Sequence, residues 1–325
     1  MNTAPDKRMG LAEAVARFVF DGAHISIGGF TINRNPMAAV YEIIRQRIKN
    51  LHLYAHSNGQ GVDELVGAGC VAKVEIAYGG SGRFAPTCIC FRQAVENQKI
   101  AVEDYSNYQM TLRFLAGAMG VPFLPTRSSL GTDIIEKWGF PASMRRADPQ
   151  IPDHKLLVMD NPFGAWGQTT KVVLVPAIQT DITILHAQKA DANGTARIEG
   201  LTFADVEQAK SARHVIVTCE DLVEPNALRA CPDRNQIPGL IVDAVVHVPF
   251  GAYPTACYRY YDYDPVYLKD YSQSARDDLQ HQAYLERWIY GLQDHPALLE
   301  QVGAARLEMI KADPGTGYAK GLDRR

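Results

Sequence analysis

The stretch Asp21-Gly22-Ala23-His24-Ile25-Ser26-Ile27-Gly28-Gly29-Phe30-Thr31-Ile32-Asn33-Arg34-Asn35-Pro36 decides the fold. It reads as strand, glycine turn and helix. His24 to Ile27 is a short run with isoleucine at 25 and 27, suited to the first buried strand of a parallel sheet. Gly28 and Gly29 permit a tight turn and leave backbone N–H groups uncovered. Asn35 is placed to cap, and Pro36 suits the first position of a helix. That helix is expected from Met37 to Lys49, with apolar residues at 37, 40, 43, 44 and 48. A glycine turn opening a helix beside a strand end suits an anion or a carbonyl oxygen. The same glycines also fit a plain β–α turn.

Outward from this stretch the chain alternates strand and helix. An amphipathic helix at residues 8–20 precedes it. Leu51 to Ala55 reads as the second strand, followed by the polar loop His56-Ser57-Asn58-Gly59-Gln60-Gly61 and a helix from Asp63 to Gly69. Val71 to Tyr78 is the next strand and ends in a second glycine loop, Gly79-Gly80-Ser81-Gly82. A helix (Thr87 to Asn97), a strand (Ile100 to Asp104) and a helix (Tyr108 to Met119, closed by Gly120) follow. This βαβα order predicts an α/β fold, an open and mostly parallel sheet flanked by helices.

Residues 126–170 are rich in Pro, Gly, Arg and Asp and read as an irregular insertion. Strands resume at Leu156–Met159, Lys171–Pro176 and Thr180–Ala187. A turn at Ala192-Asn193-Gly194 leads into Thr195–Ile198. A helix at Phe203–Ser211 and strands at His214–Cys219 and Ile241–Val248 complete the sheet. The tyrosine-rich run 253–271 suits a packed interface or a cap on this chain's own core. Helices are expected at Ser274–Leu292 and His295–Ile310, within a helical tail over 274–325. No Pro/Gly/Ser linker divides the chain, so residues 1–325 read as one domain.

Composition narrows the function. The 325 residues are 46% hydrophobic and 21% charged, with net charge -3, so no basic field for nucleic acid or membrane exists. No apolar run is long enough to span a bilayer, and Met1 to Arg17 lacks a secretory pattern. The cysteines at 70, 88, 90, 219, 231 and 257 show no paired zinc spacing and read as reduced thiols of a cytoplasmic protein without a metal.

Asp21-Gly22, an apolar run, Gly28-Gly29-Phe30 and Pro36 together resemble the signature of the A subunits of family I CoA-transferases. Two positions depart from it. Arg34 stands where a third glycine is common, and Ser26 interrupts the apolar triplet. Arginine at that place is similar to the glutaconate CoA-transferase branch. So are Glu103-Asp104-Tyr105-Ser106, Gly120 to Pro125, Asp160-Asn161-Pro162-Phe163, His186-Ala187-Gln188, Val215 to Glu220, and Asp243 to Val246 leading to Pro249-Phe250-Gly251-Ala252.

The resemblance implies transfer of CoA between an acyl-CoA of glutaconyl or glutaryl type and an acid such as acetate. The glutamate nucleophile would come from a partner B subunit in a hetero-oligomer, the CoA thioester would be substrate, and no cofactor would be needed. His56-Ser57-Asn58-Gly59 resembles the B-subunit Ser-Glu-Asn-Gly signature with the glutamate missing, or is simply a polar turn. Ser81-Gly82 matches a pair that faces the partner's glutamate, which makes Ser81 the supporting hydrogen-bond donor; a turn serine is the alternative. Gly28, Gly29, Phe30, Arg34, Ser57, Asn58 and Gly82 are the expected substrate- and CoA-binding residues. The backbone N–H groups of Gly28 to Phe30 would stabilise an oxyanion, and Arg34 would fork onto a dicarboxylate's far end or lie on the surface. His186 and Gln188 are weaker candidates. The competing reading is a hydrolase or decarboxylase on the same scaffold, without the partner's glutamate.

Overall fold

Helix α1 (Leu11–Phe18) leads into β1 (His24–Ile27), whose four residues are all buried. The chain then alternates through α2 (Met37–Arg45), β2 (Leu51–Asn58), α3 (Gln60–Gly67), β3 (Val71–Gly79), α4 (Ile89–Glu96), β4 (Ala101–Asp104) and α5 (Asn107–Met119). This is a computed structural model describing residues 5–165, 167 and 169–324. The start of the polar lead, Trp166 and Gln168 of the irregular stretch, and Arg325 lie outside the described residues. Next come β5 (Phe123–Thr126), the short helices α6 (Asp133–Glu136) and α7 (Ala142–Ala147), β6 (Leu157–Asp160) and β7 (Lys171–Pro176). The second half holds β8 (Thr180–Asp191), β9 (Ala196–Arg197), α8 (Asp205–Ser211), β10 (Ala212–Val223), α9 (Pro225–Arg229) and β11 (Ala244–His247). Four α-helices follow: α10 (Pro265–Ser274), α11 (Asp278–Leu285), which continues as a π-helical turn over Glu286–Tyr290, α12 (His295–Val302) and α13 (Ala304–Ile310).

The main sheet has the order β11-β10-β8-β1-β2-β3-β4, every neighbouring pair parallel, with β9 antiparallel on β8. Ile25 sits opposite Leu53 on one side and Ile182 on the other. From β1 the chain steps outward through β2, β3 and β4. It returns to β8, beside β1, and steps the other way through β10 and β11. The gap above β1 and β8 is therefore the topological switch point, where loops diverge and leave a crevice at the strands' carboxyl ends.

The stretch 126–170 is more regular than expected. Its strand β6 and the flanking β5 and β7 form a second, antiparallel sheet in the order β5-β7-β6. That sheet shares a core with the main one, because Val173, Val175 and Leu156 pack with Tyr54 and Phe114.

Several boundaries differ for local reasons. Helix α2 stops at Arg45, since Arg47 and Asn50 take left-handed φ of 57° and 60°. The expected loop at His56 is strand: β2 runs to Asn58 and α3 starts at Gln60. Asn35 does not cap α2, whose N-cap is Pro36. Its Oδ1 accepts from Gly61 N at 3.1 Å, and Asn58 Oδ1 accepts from Val62 N at 3.2 Å, so both asparagines serve the start of α3. The expected helix Ser274–Leu292 is broken, and Asp277 caps α11 through Gln280 N at 3.0 Å. Gly303, at φ 88°, separates α12 from α13.

The tyrosine run packs into this chain's own core, with Tyr253, Tyr261, Tyr267 and Tyr271 all buried. Tyr267 belongs to a polar island around the buried Glu64. Glu64 Oε1 accepts from Tyr284 at 2.6 Å, Gln60 Nε2 at 2.8 Å and Tyr41 at 3.3 Å, while Oε2 has no hydrogen-bond partner. Burial outweighs these bonds and pushes the Glu64 carboxyl up to about 8.

Candidate functional site

The loops leaving β1, β2 and β3 meet at Gly59. Thr31 N donates to Ser57 O at 3.0 Å, Gly59 N to Thr31 O at 3.0 Å, and Gly80 N to Asn58 O at 3.2 Å. A Cβ on Gly59 would lie 2.4 Å from Gly80 O, 2.8 Å from Ser81 Oγ and 2.8 Å from Thr31 O. Only glycine fits that space.

Ser81 is 3% exposed, and its hydroxyl faces Gly59 and the Cys88 thiol. Burial holds that thiol well above its ordinary value. The serine loop is tied by Ser81 N to Ala85 O at 2.8 Å. Gly82 takes φ 57° in open space at the loop's outer edge. Ser57 is buried, and its hydroxyl donates to Asn107 Oδ1 at 2.5 Å.

The N–H groups expected to be open donors are engaged within the chain, which corrects that expectation. Gly28 N donates to Ile184 O at 2.9 Å, Gly29 N to Asp205 Oδ1 at 2.9 Å, and Phe30 N to Asn33 O at 2.8 Å. The Asn58 amide is engaged at both ends, since Nδ2 donates to Gly28 O at 3.1 Å while Oδ1 caps α3. Arg34 is neither a free fork nor a surface residue. It is 3% exposed, Nη1 donates to Asp205 Oδ2 at 2.5 Å and His186 O at 2.8 Å, and Nη2 donates to Leu201 O at 3.0 Å. Asp205 thus joins both sides of the switch point: it holds Arg34 and the Gly29 amide from the start of α8.

Phe30 is half-buried, stacks on Phe203 at 5.0 Å and tilts against His56 at 5.9 Å. Burial lowers the His56 pKa, which favours the neutral ring. His186 is fully buried, with Nδ1 2.8 Å from Thr218 Oγ1 and Nε2 2.7 Å from Glu220 Oε1. Gln188 holds the backbone of Glu199 and Tyr258. Neither opens onto the loops. Two groups bring metal-ligand atoms within 4.8 Å of one another, His24/His52/Asp148 and His186/Glu220/Cys257. In the first, the His24 ring nitrogens already meet Tyr54 and Asp148, and Asp148 also pairs with Lys73 at 2.8 Å.

Beside Arg34 a pocket of about 390 Å³ opens at the switch point, walled by Arg34, Glu199, Phe203, Tyr258, Tyr318 and Arg324 among others. Sequence reasoning found Arg34 but missed the rest. Thr31, Arg34 and Phe203 all adopt left-handed φ (49°, 51° and 51°), and these non-glycine positions cluster around the crevice. The available signal was Gly200-Leu201-Thr202-Phe203, a loop carrying apolar residues that no strand or helix period explains.

A doubly wound parallel sheet, glycine loops converging at one end and an aromatic pocket at the switch point define an α/β protein with a ligand-sized crevice at the carboxyl ends of its strands. The coenzyme A transferase family model matches residues 8–248, and the chain belongs to that family. It is 40% identical over 312 residues to the A subunit of glutaconate CoA-transferase from Acidaminococcus fermentans, covering 96% of this chain and 97% of the relative. It is 32% identical to the A subunit of 3-oxoadipate CoA-transferase from Pseudomonas knackmussii, covering 87% and 94%. The crystal structure of the Acidaminococcus fermentans glutaconate CoA-transferase superposes with a TM-score of 0.93 at 39% identity, covering 98% of each chain.

Proposed function

We propose that this chain is the A subunit of a CoA-transferase that moves CoA between a glutaconyl- or glutaryl-type acyl-CoA and a carboxylic acid such as acetate. The observation that carries the proposal is the convergence of three strand-end loops on Gly59, in a chain nearly as long as, and close in shape to, that of a glutaconate CoA-transferase. The nucleophile is a glutamate of the partner B subunit. Its carboxylate attacks the thioester carbonyl, the C–S bond breaks, and CoA thiolate leaves an acyl-glutamyl anhydride. The thiolate attacks the glutamyl carbonyl of that anhydride, releasing the first acid and leaving a glutamyl-CoA thioester. The second acid then runs the two steps in reverse. Neither step changes an oxidation state, so CoA thioester as substrate is sufficient. A hydroxyl donor aimed at the developing oxyanion is worth roughly 3–4 kcal/mol, and Ser81 is assigned that role. With Gly28 to Phe30 engaged elsewhere, the remaining donors come from the Ser81-Gly82 loop and the partner.

All six cysteines are unpaired, which supports a cytoplasmic setting, and among the described residues no helix is long and apolar enough to cross a membrane. The core shared by both sheets supports one domain.

The isolated chain is expected to exchange no CoA. Mixed with its partner, glutaryl-CoA and acetate, it is expected to yield acetyl-CoA, followed by chromatography of the CoA esters. Hydrolysis without exchange would favour the hydrolase reading. Exchange by the isolated chain would require an internal carboxylate, with Glu199 in the pocket the first to test. Ser81→Ala is expected to lower turnover of the assembled complex at least about tenfold, with assembly intact by size exclusion. Unchanged turnover would make Ser81 a turn residue only.

A further inference from the structure

Resting on the transferase reading, we infer that Arg324 is the specificity-determining residue for the far carboxylate of a dicarboxylic acyl group. Arg34 cannot take that role, because it is almost fully buried and its charge is paired with the fully buried Asp205. Arg324 is held more loosely and at the surface. Its Nη2 pairs with the buried Asp262 and reaches Ala319 O at 3.3 Å, whereas Nη1 meets just the carbonyl of Leu322, two residues away, at 3.3 Å. The guanidinium lies over the Tyr318 ring at 5.1 Å, and its side chain is 41% exposed. A guanidinium anchored through Nη2 and lying over a ring is held in place, while its remaining N–H donors can meet a carboxylate from solvent.

The position fits as well. Asp262 Oδ2 also accepts Ala319 N at 3.0 Å, so one buried carboxylate fixes both Arg324 and the segment that walls the pocket. Arg83, two residues beyond Ser81, donates to Asp323 O at 2.6 Å and lies over the Tyr263 ring at 5.9 Å. Tyr263 itself lines the pocket. The serine loop thus reaches, through Arg83, the wall of the pocket that carries Tyr263 and Arg324. Aromatic walls such as Phe203 and Tyr258 suit the methylenes between a thioester and a terminal carboxylate.

The test uses the assembled two-subunit complex with glutaryl-CoA and butyryl-CoA, which differ by the terminal carboxylate. Binding is read by calorimetry and exchange to acetate by product analysis. Arg324→Gln is expected to weaken glutaryl-CoA binding and raise its KM roughly 10- to 100-fold, and so to shrink the preference for glutaryl-CoA over butyryl-CoA by about the same factor. Arg324→Lys restores part of the preference. Equal loss for both esters, or an unchanged ratio, overturns the assignment. A wild-type complex that shows the binding preference without exchange would sink the transferase reading and still support Arg324.

Discussion

Replacing Asp205 with alanine is expected to destabilise the chain by about 3–5 kcal/mol and to lower exchange by the complex at least about 100-fold. The Asp205 carboxylate is fully buried and its partner Arg34 nearly so. Removing the acid strands a guanidinium away from water, with two backbone carbonyls and the Phe203 ring but no counter-charge beside it. The same change releases the Gly29 amide, which ties the glycine turn after β1 to α8. Asp205→Asn keeps an acceptor for Gly29 but loses the charge and the acceptor that faces Arg34, so it should fall between. Urea unfolding of the isolated chain reads the first effect and acyl-CoA exchange the second. A variant with wild-type stability would show that Asp205 is not the joint between the two halves of the crevice.

The second large effect is on pH dependence. The folded chain keeps a proton on Glu64 up to about pH 8, whereas the unfolded chain releases it near the ordinary glutamate value of 4.5. Unfolding therefore releases a proton between those limits, and stability is lost as pH rises through that window. Glu64→Gln carries no such proton. Its amide oxygen can still accept from Tyr284, Gln60 and Tyr41. The variant is expected to match wild type near pH 5 and to exceed it by on the order of 3 kcal/mol at pH 7. Urea titrations at the two pH values check this, and identical pH slopes for the two proteins would refute it.

Much of the fold was legible because its signals are local. The alternation of β-branched runs with amphipathic helices, punctuated by Gly28-Gly29, Gly79-Gly80 and Gly120, gives the parallel sheet directly. The antiparallel sheet of β5, β6 and β7 was not legible as a unit, since its strands are short and are brought together across the irregular stretch. The loops at Gly28, Ser57 and Ser81 were placed at one end of the sheet by strand order alone. What their atoms do was not readable. Whether Asn58 binds a ligand or caps α3 depends on Val62 and Gly28 lying within reach, which is a tertiary fact. Arg34 was open to misreading for the same reason: its partner Asp205 lies 171 residues away.

The crevice has two unlike walls. On one side, three loops press on a single glycine with no free volume, and Asp205 ties the first of them to α8. On the other, residues 317–324 hang from Asp262 and a few backbone contacts. Anyone retooling this protein for a longer or bulkier acid should diversify that suspended flank in a library and leave Gly59 alone.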